Sequence, residues 1–252
     1  MIHSLRIIFK KNDESGYGSY MGSLMHGVLM EHISSEYAEK MHISQIHPYS
    51  QHTYFENGRI VWCITALNDE AGRYITDVFM SADFSKVHIK KHDIVLEVDK
   101  KIYSTVSYSE LFNKNYLSEN TYRYVQIEFI TPVSFKSNGN YIIFPEARMI
   151  LNNLIRKYDS SSCETQIYDE LLLEQIEKNT DIVEYSLRSV KFYMEGIKIP
   201  SFIGKITLKF SGASEFIRLM NMLTEYGEYS GTGIKTSIGM GAYKITDKRG
   251  KC

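Results

Sequence analysis

The chain passes twice through the same alternation of strand and helix periods, and that double round limits its possible folds more than any other feature. In the first round LRIIF (5–9) alternates as a strand, residues 20–41 carry a helical pattern and IVWCITAL (60–67) is strand-like. A short polar-flanked helix then falls near 69–80, and alternating strands run through 84–106. The second round opens with YRYVQIEFITPVSF (122–135), a strand expected to end at Pro132. Helices follow near 146–158 and 164–178, strands near 182–195 and 202–210, a helix at 214–226 and a last strand near 242–246. Each round reads roughly β-α-β-β-α-β, the ferredoxin-like unit. The expectation is an α+β chain of two tandem ferredoxin-like (RRM-like) domains, 1–118 and 119–252, divided within the aperiodic polar stretch 113–120. No sequence repeat relates the rounds, so the duplication is structural.

Composition supports a folded chain. At 252 residues and 43% hydrophobic it can bury one large core or two small ones, and its charges are scattered. The opening MIHSLRIIFKK has no small-residue cleavage site behind it, and no apolar run reaches the ~18 residues of a membrane span. Cys63, Cys163 and Cys252 are far apart and lack CxxC spacing, so neither disulfides nor a zinc site is indicated, and a reducing cytoplasm is expected. A net charge of −1 argues against a nonspecific nucleic-acid coater, though a local patch would suffice for binding. Two groups qualify: Lys86, His88, Lys90, Lys91 and His92, and the set Lys244, Lys248, Arg249 and Lys251. A solvated strand face accounts for the first and a loose tail for the second. Many of the 19 tyrosines must be packing, and some could stack on bases.

Within the first helical pattern, Met21, Leu24, Met25, Val28, Leu29 and Ile33 form one apolar stripe. His32 lies inside it and is expected to be packed or hydrogen-bonded, whereas His26 lies at its flank and suits a solvent-lined site. Ser34-Ser35-Glu36 can cap a second helical segment ending at His42. An unbroken helix would put His26 and His42 on nearly opposite faces, so they converge only if the chain bends at Ser34–Ser35 or His42 lies beyond the helix. Histidine moves protons near neutral pH, and two on one phosphodiester could share metal-free RNA cleavage as base and acid. Most lone histidines are structural. His42, His47 and His52 sit five apart without a carboxylate at helical spacing, so no metal site and no cofactor are expected.

The stretch GEYSGTGIKTSIGMGAYKI (227–245) concentrates five glycines around one lysine. It is neither familiar phosphate cradle: Thr236 stands where G-x-G-x-x-G needs its third glycine, and Ile234 separates Gly233 from Lys235. Composition alone leaves a long hairpin loop as the alternative.

Taken with YMGSLMHGVLMEHISSEYAEKMH (20–42), YRYVQIEFITPVSFK (122–136) and KIPSFIGKITLKFSG (198–212), that stretch makes nearly the whole chain resemble the CRISPR-associated endoribonucleases that cut repeat RNA into guide RNAs. These belong to the superfamily of repeat-associated mysterious proteins, and the likeness is closest to members accompanying type III-A systems. Its most specific element is a G-x-G pair and a second G-x-G across a short basic segment, here Gly231/Gly233 and Gly239/Gly241. The resemblance implies two tandem ferredoxin-like domains and a glycine loop that approaches RNA phosphates, with Lys235 as its cation. It further implies metal-free cleavage to a 2′,3′-cyclic phosphate and a 5′-hydroxyl, and a catalytic histidine at His42. The chain departs where the family commonly has a helix tyrosine, near His26, and a lysine after the histidine, at Gln45. A two-histidine mechanism through His26 and His42, acid and base unassigned, follows, with Tyr20, Tyr49 or Lys235 as substitutes for the second group. The expected partner is repeat RNA; transient association with a type III interference complex and homodimerisation are consistent with it. A noncatalytic RNA-binding subunit and a scaffold that binds no nucleic acid are the competing readings.

Overall fold

Two antiparallel sheets carry the chain, one in each half. The computed structural model describes residues 1–11, 21–89, 92–117, 120–163, 166–194 and 196–251. Tyr20, Lys90, Lys91, Cys252 and the expected division at 118/119 lie outside the described residues.

In the first half β1 (Ile2–Phe9) leads to helices α1 (Met21–His32) and α2 (Ser35–Ile43), then to a hairpin of β2 (Tyr49–Glu56) and β3 (Arg59–Ala66). A helical stretch follows, made of α3 (Asp69–Ala71), a π-helical turn (Gly72–Thr76) and α4 (Asp77–Met80), and a hairpin of β4 (Lys86–Ile89) and β5 (Ile94–Val106) completes the half. The sheet runs β2-β3-β1-β5-β4 with every pairing antiparallel. Without the β4 extension this is the strand order of a ferredoxin-like unit. Alternation does the work in β1: Leu5, Ile7 and Phe9 are fully buried and meet Met25, Leu29, Trp62 and Phe79.

Helix α5 (Tyr108–Asn115), closed by a capping box of Ser107 and Glu110, links to the second half. There β6 (Tyr122–Val133), the small hairpin β7 (Phe135–Ser137) and β8 (Asn140–Ile142), α6 (Ala147–Ser161) and α7 (Glu170–Asn179) precede β9 (Thr180–Met194) and β10 (Ile197–Phe210). Helix α8 (Ser214–Ser230), a 3-10 turn (Thr236–Ile238) and β11 (Tyr243–Lys251) end it. The order β11-β6-β10-β9 repeats the first sheet's pattern. Val125, Ile127 and Phe129 pack there on Ile150, Leu154 and Leu223, and Ile2, Leu67, Tyr108 and Leu111 of the first half join the same core. Among the described residues no helix is long and apolar enough to cross a membrane.

The bend at Ser34–Ser35 that capping allows is present: the pattern at 20–41 is two helices, because Ser34 is extended (φ −63°, ψ 144°) and its Oγ accepts the Tyr37 N–H at 3.3 Å. Other expectations need correction. Pro132 does not end its strand; the register slips between Phe202 and Gly204 opposite it, and β6 continues to Val133. β2 and α5 are additional elements. The basic C-terminal set is no loose tail but part of β11, where Lys244, Lys248 and Arg249 pair with Glu128, Glu225 and Glu184. Lys86 and His88 do lie on the exposed side of β4, with His88 against Asp93.

Candidate active site

The break at Ser34 turns α2 back, so that His42 in its last turn comes near His26 on α1. His47, in the connection to β2, joins them, its ring stacked on Tyr49 with centroids 5.7 Å apart. The second half supplies the opposite wall through the 3-10 turn. His47 Nδ1 and Ser237 Oγ share a hydrogen bond at 2.8 Å, and His26 hydrogen-bonds the Ser237 backbone. His26 Nδ1 also lies 3.5 Å from the Tyr49 hydroxyl. Ser237 is thus the point at which the histidines of one half meet the loop of the other.

Electrostatics follow from this enclosure. Burial first, then the charges of His47, His42 and Lys235, lower the His26 pKa to about 4. His47 is lowered too, again chiefly by burial. Both rings are therefore neutral at neutral pH. His42 is exposed, as is Lys235. His32 is hydrogen-bonded, as expected, although α1 ends at this residue and leaves it exposed. Its Nδ1–H donates to the Val28 carbonyl at 2.8 Å, and its ring contacts Phe79 and Phe84.

The loop between α8 and β11 owes its glycines to the protein's own packing. Gly231, Gly233, Gly239 and Gly241 are all buried. At Gly239, φ is +108° and a Cβ would sit 2.7 Å from the Cα of Gly22 in α1; at Gly241, φ is +75° and a Cβ would sit 2.0 Å from the Thr232 carbonyl oxygen. Backbone bonds tie the loop down: Gly241 N–H donates to Pro132, Thr232 N–H to Gly241 and Ile234 N–H to Ser134. From α6, Asn153 Oδ1 accepts the Gly233 N–H at 2.9 Å. The fully buried Lys157 Nζ donates to the carbonyls of Ser230 and Gly231, both at 3.0 Å, and to Thr236 Oγ1 at 2.8 Å. Those bonds satisfy carbonyls left open at the end of α8. Burial lowers the Lys157 pKa to about 7. Lys235 projects from this fixed frame in the left-handed conformation, φ +59°.

Between His47 and the loop lies a cleft of about 480 Å³, reached also by Gln45, Arg156 and Lys235. No carboxylate lines it among the described residues. Nor, among those residues, do three or more His, Cys, Asp or Glu side chains gather as a metal set. Sequence reasoning missed His47, Ser237, Asn153, Arg156 and Lys157. His47 had a signal, the crowding of six histidines between residues 3 and 52. The others owe their places to contacts across the chain.

Two antiparallel ferredoxin-like units with clustered histidines and an enclosed glycine loop define a tandem ferredoxin-like class of protein, and comparison with known proteins supplies the family. The description of the CRISPR-associated endoribonuclease Cas6 matches residues 127–243. A Cas6 endoribonuclease of Streptococcus thermophilus is 33% identical over 234 residues, 89% of this chain and 90% of that protein. One from Mycobacterium tuberculosis is 28% identical over 226 residues, 89% and 71% of the two chains. A solved Cas6 product complex superposes with a TM-score of 0.79 at 20% identity, covering 98% of this chain and all of that one. The chain belongs to the Cas6 family of CRISPR-associated endoribonucleases. Membership supports an endoribonuclease acting in the processing of CRISPR repeat RNA.

Proposed function

We propose that the chain cuts repeat RNA within the precursor transcript, without a metal ion, to leave a 2′,3′-cyclic phosphate and a 5′-hydroxyl. What carries the reading is the gathering of His26, His42, His47 and Lys235 about Ser237. A group with a pKa of about 4 is protonated in only about one molecule in a thousand at pH 7, so His26 is unsuited to donate and available to accept. His26 takes the proton of the 2′-hydroxyl as that oxygen bonds to phosphorus, and the exposed His42 gives a proton to the departing 5′-oxygen as its bond to phosphorus breaks. Water exchanges the two protons before the next cut. Lys235 offsets charge on the phosphate, in the role for which Gln45 has no charge.

In this reading residues 1–118 supply the acid and base, and 119–252 supply the wall that meets the RNA, built by Gly231, Gly233, Lys235, Gly239 and Gly241. The buried glycines act by fixing the wall's shape, Lys235 by charge. Incubation with a cognate repeat in excess EDTA, with the product ends sequenced and chemically typed, tests the proposal. Cyclic phosphate ends support it; cleavage that stops in chelator and returns with Mg²⁺ overturns it, and binding without cleavage favours a noncatalytic RNA-binding subunit.

A further inference from the structure

Helix α6 presents Asn153, Arg156 and Lys157 at i, i+3 and i+4, hence on one side. Two of the three are spent on the loop: Asn153 holds the Gly233 N–H, and Lys157 holds the end of α8 and Thr236. Arg156 stands between them, exposed and reaching the cleft that also meets His47 and Lys235. No described residue forms an ion pair or hydrogen bond with its guanidinium, in contrast to Arg148 on the same helix, which pairs with Glu177 at 2.8 Å. With no carboxylate in the cleft, the His47 ring neutral and the Lys157 amine taken up by Ser230, Gly231 and Thr236, the exposed charges that reach it are Lys235 and Arg156. An unpaired guanidinium fixed between two anchoring residues suits the two oxygens of a phosphodiester better than an ammonium would.

We infer that Arg156 grips a backbone phosphate of the bound RNA from the α6 side of the cleft that Lys235 also reaches. The inference rests on the RNA-cleavage reading above. It assigns Arg156 to binding and leaves the proton transfers to the histidines.

The test measures affinity for a repeat RNA across a salt series, with single-turnover cleavage at saturating protein and melting in parallel. Arg156→Ala is expected to weaken binding about tenfold and to lower the slope of log affinity against log salt by about 0.7 to 1. Its melting temperature should not change, and its rate at saturation should fall less than tenfold. Arg156→Lys should restore the slope but only part of the affinity. Arg148→Ala removes an equal charge already matched by Glu177 and should leave the slope alone. An Arg156→Ala protein with wild-type affinity and slope, while the wild type cuts normally, overturns the inference and spares the reading beneath it. So does an Arg148→Ala slope change as large as that of Arg156→Ala, or a rate loss above a hundredfold at unchanged affinity. A wild-type protein that neither binds nor cuts repeat RNA takes down both.

Discussion

His42 stands exposed at the end of α2, whereas Gly239, closing the wall opposite, is buried against α1. The first wall is a pair of helices joined at an extended serine, and its chemistry-bearing rings reach solvent or half-open space. The second is a loop held at both ends by backbone hydrogen bonds, from which one cation emerges. In the proposed mechanism one wall supplies protons and the other supplies shape. Substitutions on the two sides should therefore fail in different ways, one in rate and the other in stability.

The largest separation is expected at the histidines. His42→Ala and His26→Ala should each lose about 10²- to 10⁴-fold in single-turnover rate while keeping RNA affinity and melting temperature. The double variant should be little worse than the worse single one, since groups acting in one step are not additive. A near-normal rate for His42→Ala would remove it from the mechanism. A near-normal rate for His26→Ala alone would shift the base to His47, its neighbour on Ser237.

Next comes the opposite wall. Gly239→Val places a branched side chain where the Gly22 backbone lies and where φ is positive, which should cost about 2 to 5 kcal/mol and be read as a lowered melting temperature. A Gly239→Val protein that melts normally but cannot bind RNA would make the glycine a contact rather than a packing device.

Lys157→Met should cost less, about 1 to 3 kcal/mol, through the carbonyls of Ser230 and Gly231 left without a donor. Its pH dependence identifies the cause. From about pH 7 to the ordinary lysine range the unfolded chain holds a proton that folded Lys157 has released, so this group makes wild-type stability rise with pH. The variant lacks that rise, and the gap between the two melting curves should widen between pH 7 and 9. A gap independent of pH would mean that Lys157 stays charged when buried. The smallest effect belongs to His32→Ala, under about 1 kcal/mol with unchanged cleavage, because the ring is exposed and makes one hydrogen bond to its own helix.

The contrast between the walls also explains what could be read in advance. The strands β1, β6 and β10, the break at Ser34 and the flank position of His26 are local properties, written in alternation, capping and helical spacing. β2 was hidden because YSQHTYFE is too polar to read as half-buried. Its Gln51 is buried all the same, since it accepts from the Trp62 indole and donates to the Gly22 carbonyl. Helix α5 was hidden because the apolar face of Tyr108 and Leu111 is completed by a core belonging mostly to the other half. Lys157 looked like any helix lysine; the acceptors that bury it lie 73 to 79 residues further on. The glycine pairs were legible as a pattern, but their reason, closeness to Gly22 and to Thr232, is visible only once the chain is folded.

The meeting at Ser237 sets an order of events when the protein is made. The segment ending at Ile43 leaves the ribosome nearly two hundred residues before Thr236–Ile238 does. Throughout that interval His26 and His47 are without the serine that pins them, and His26 lacks the enclosure that keeps it uncharged. A chain made only as far as β2 thus holds the two rings without the enclosure that the loop gives them. In the proposed mechanism the Thr236–Ile238 turn has to be in place before the proton-transfer geometry can form, so the first half alone does not hold the site.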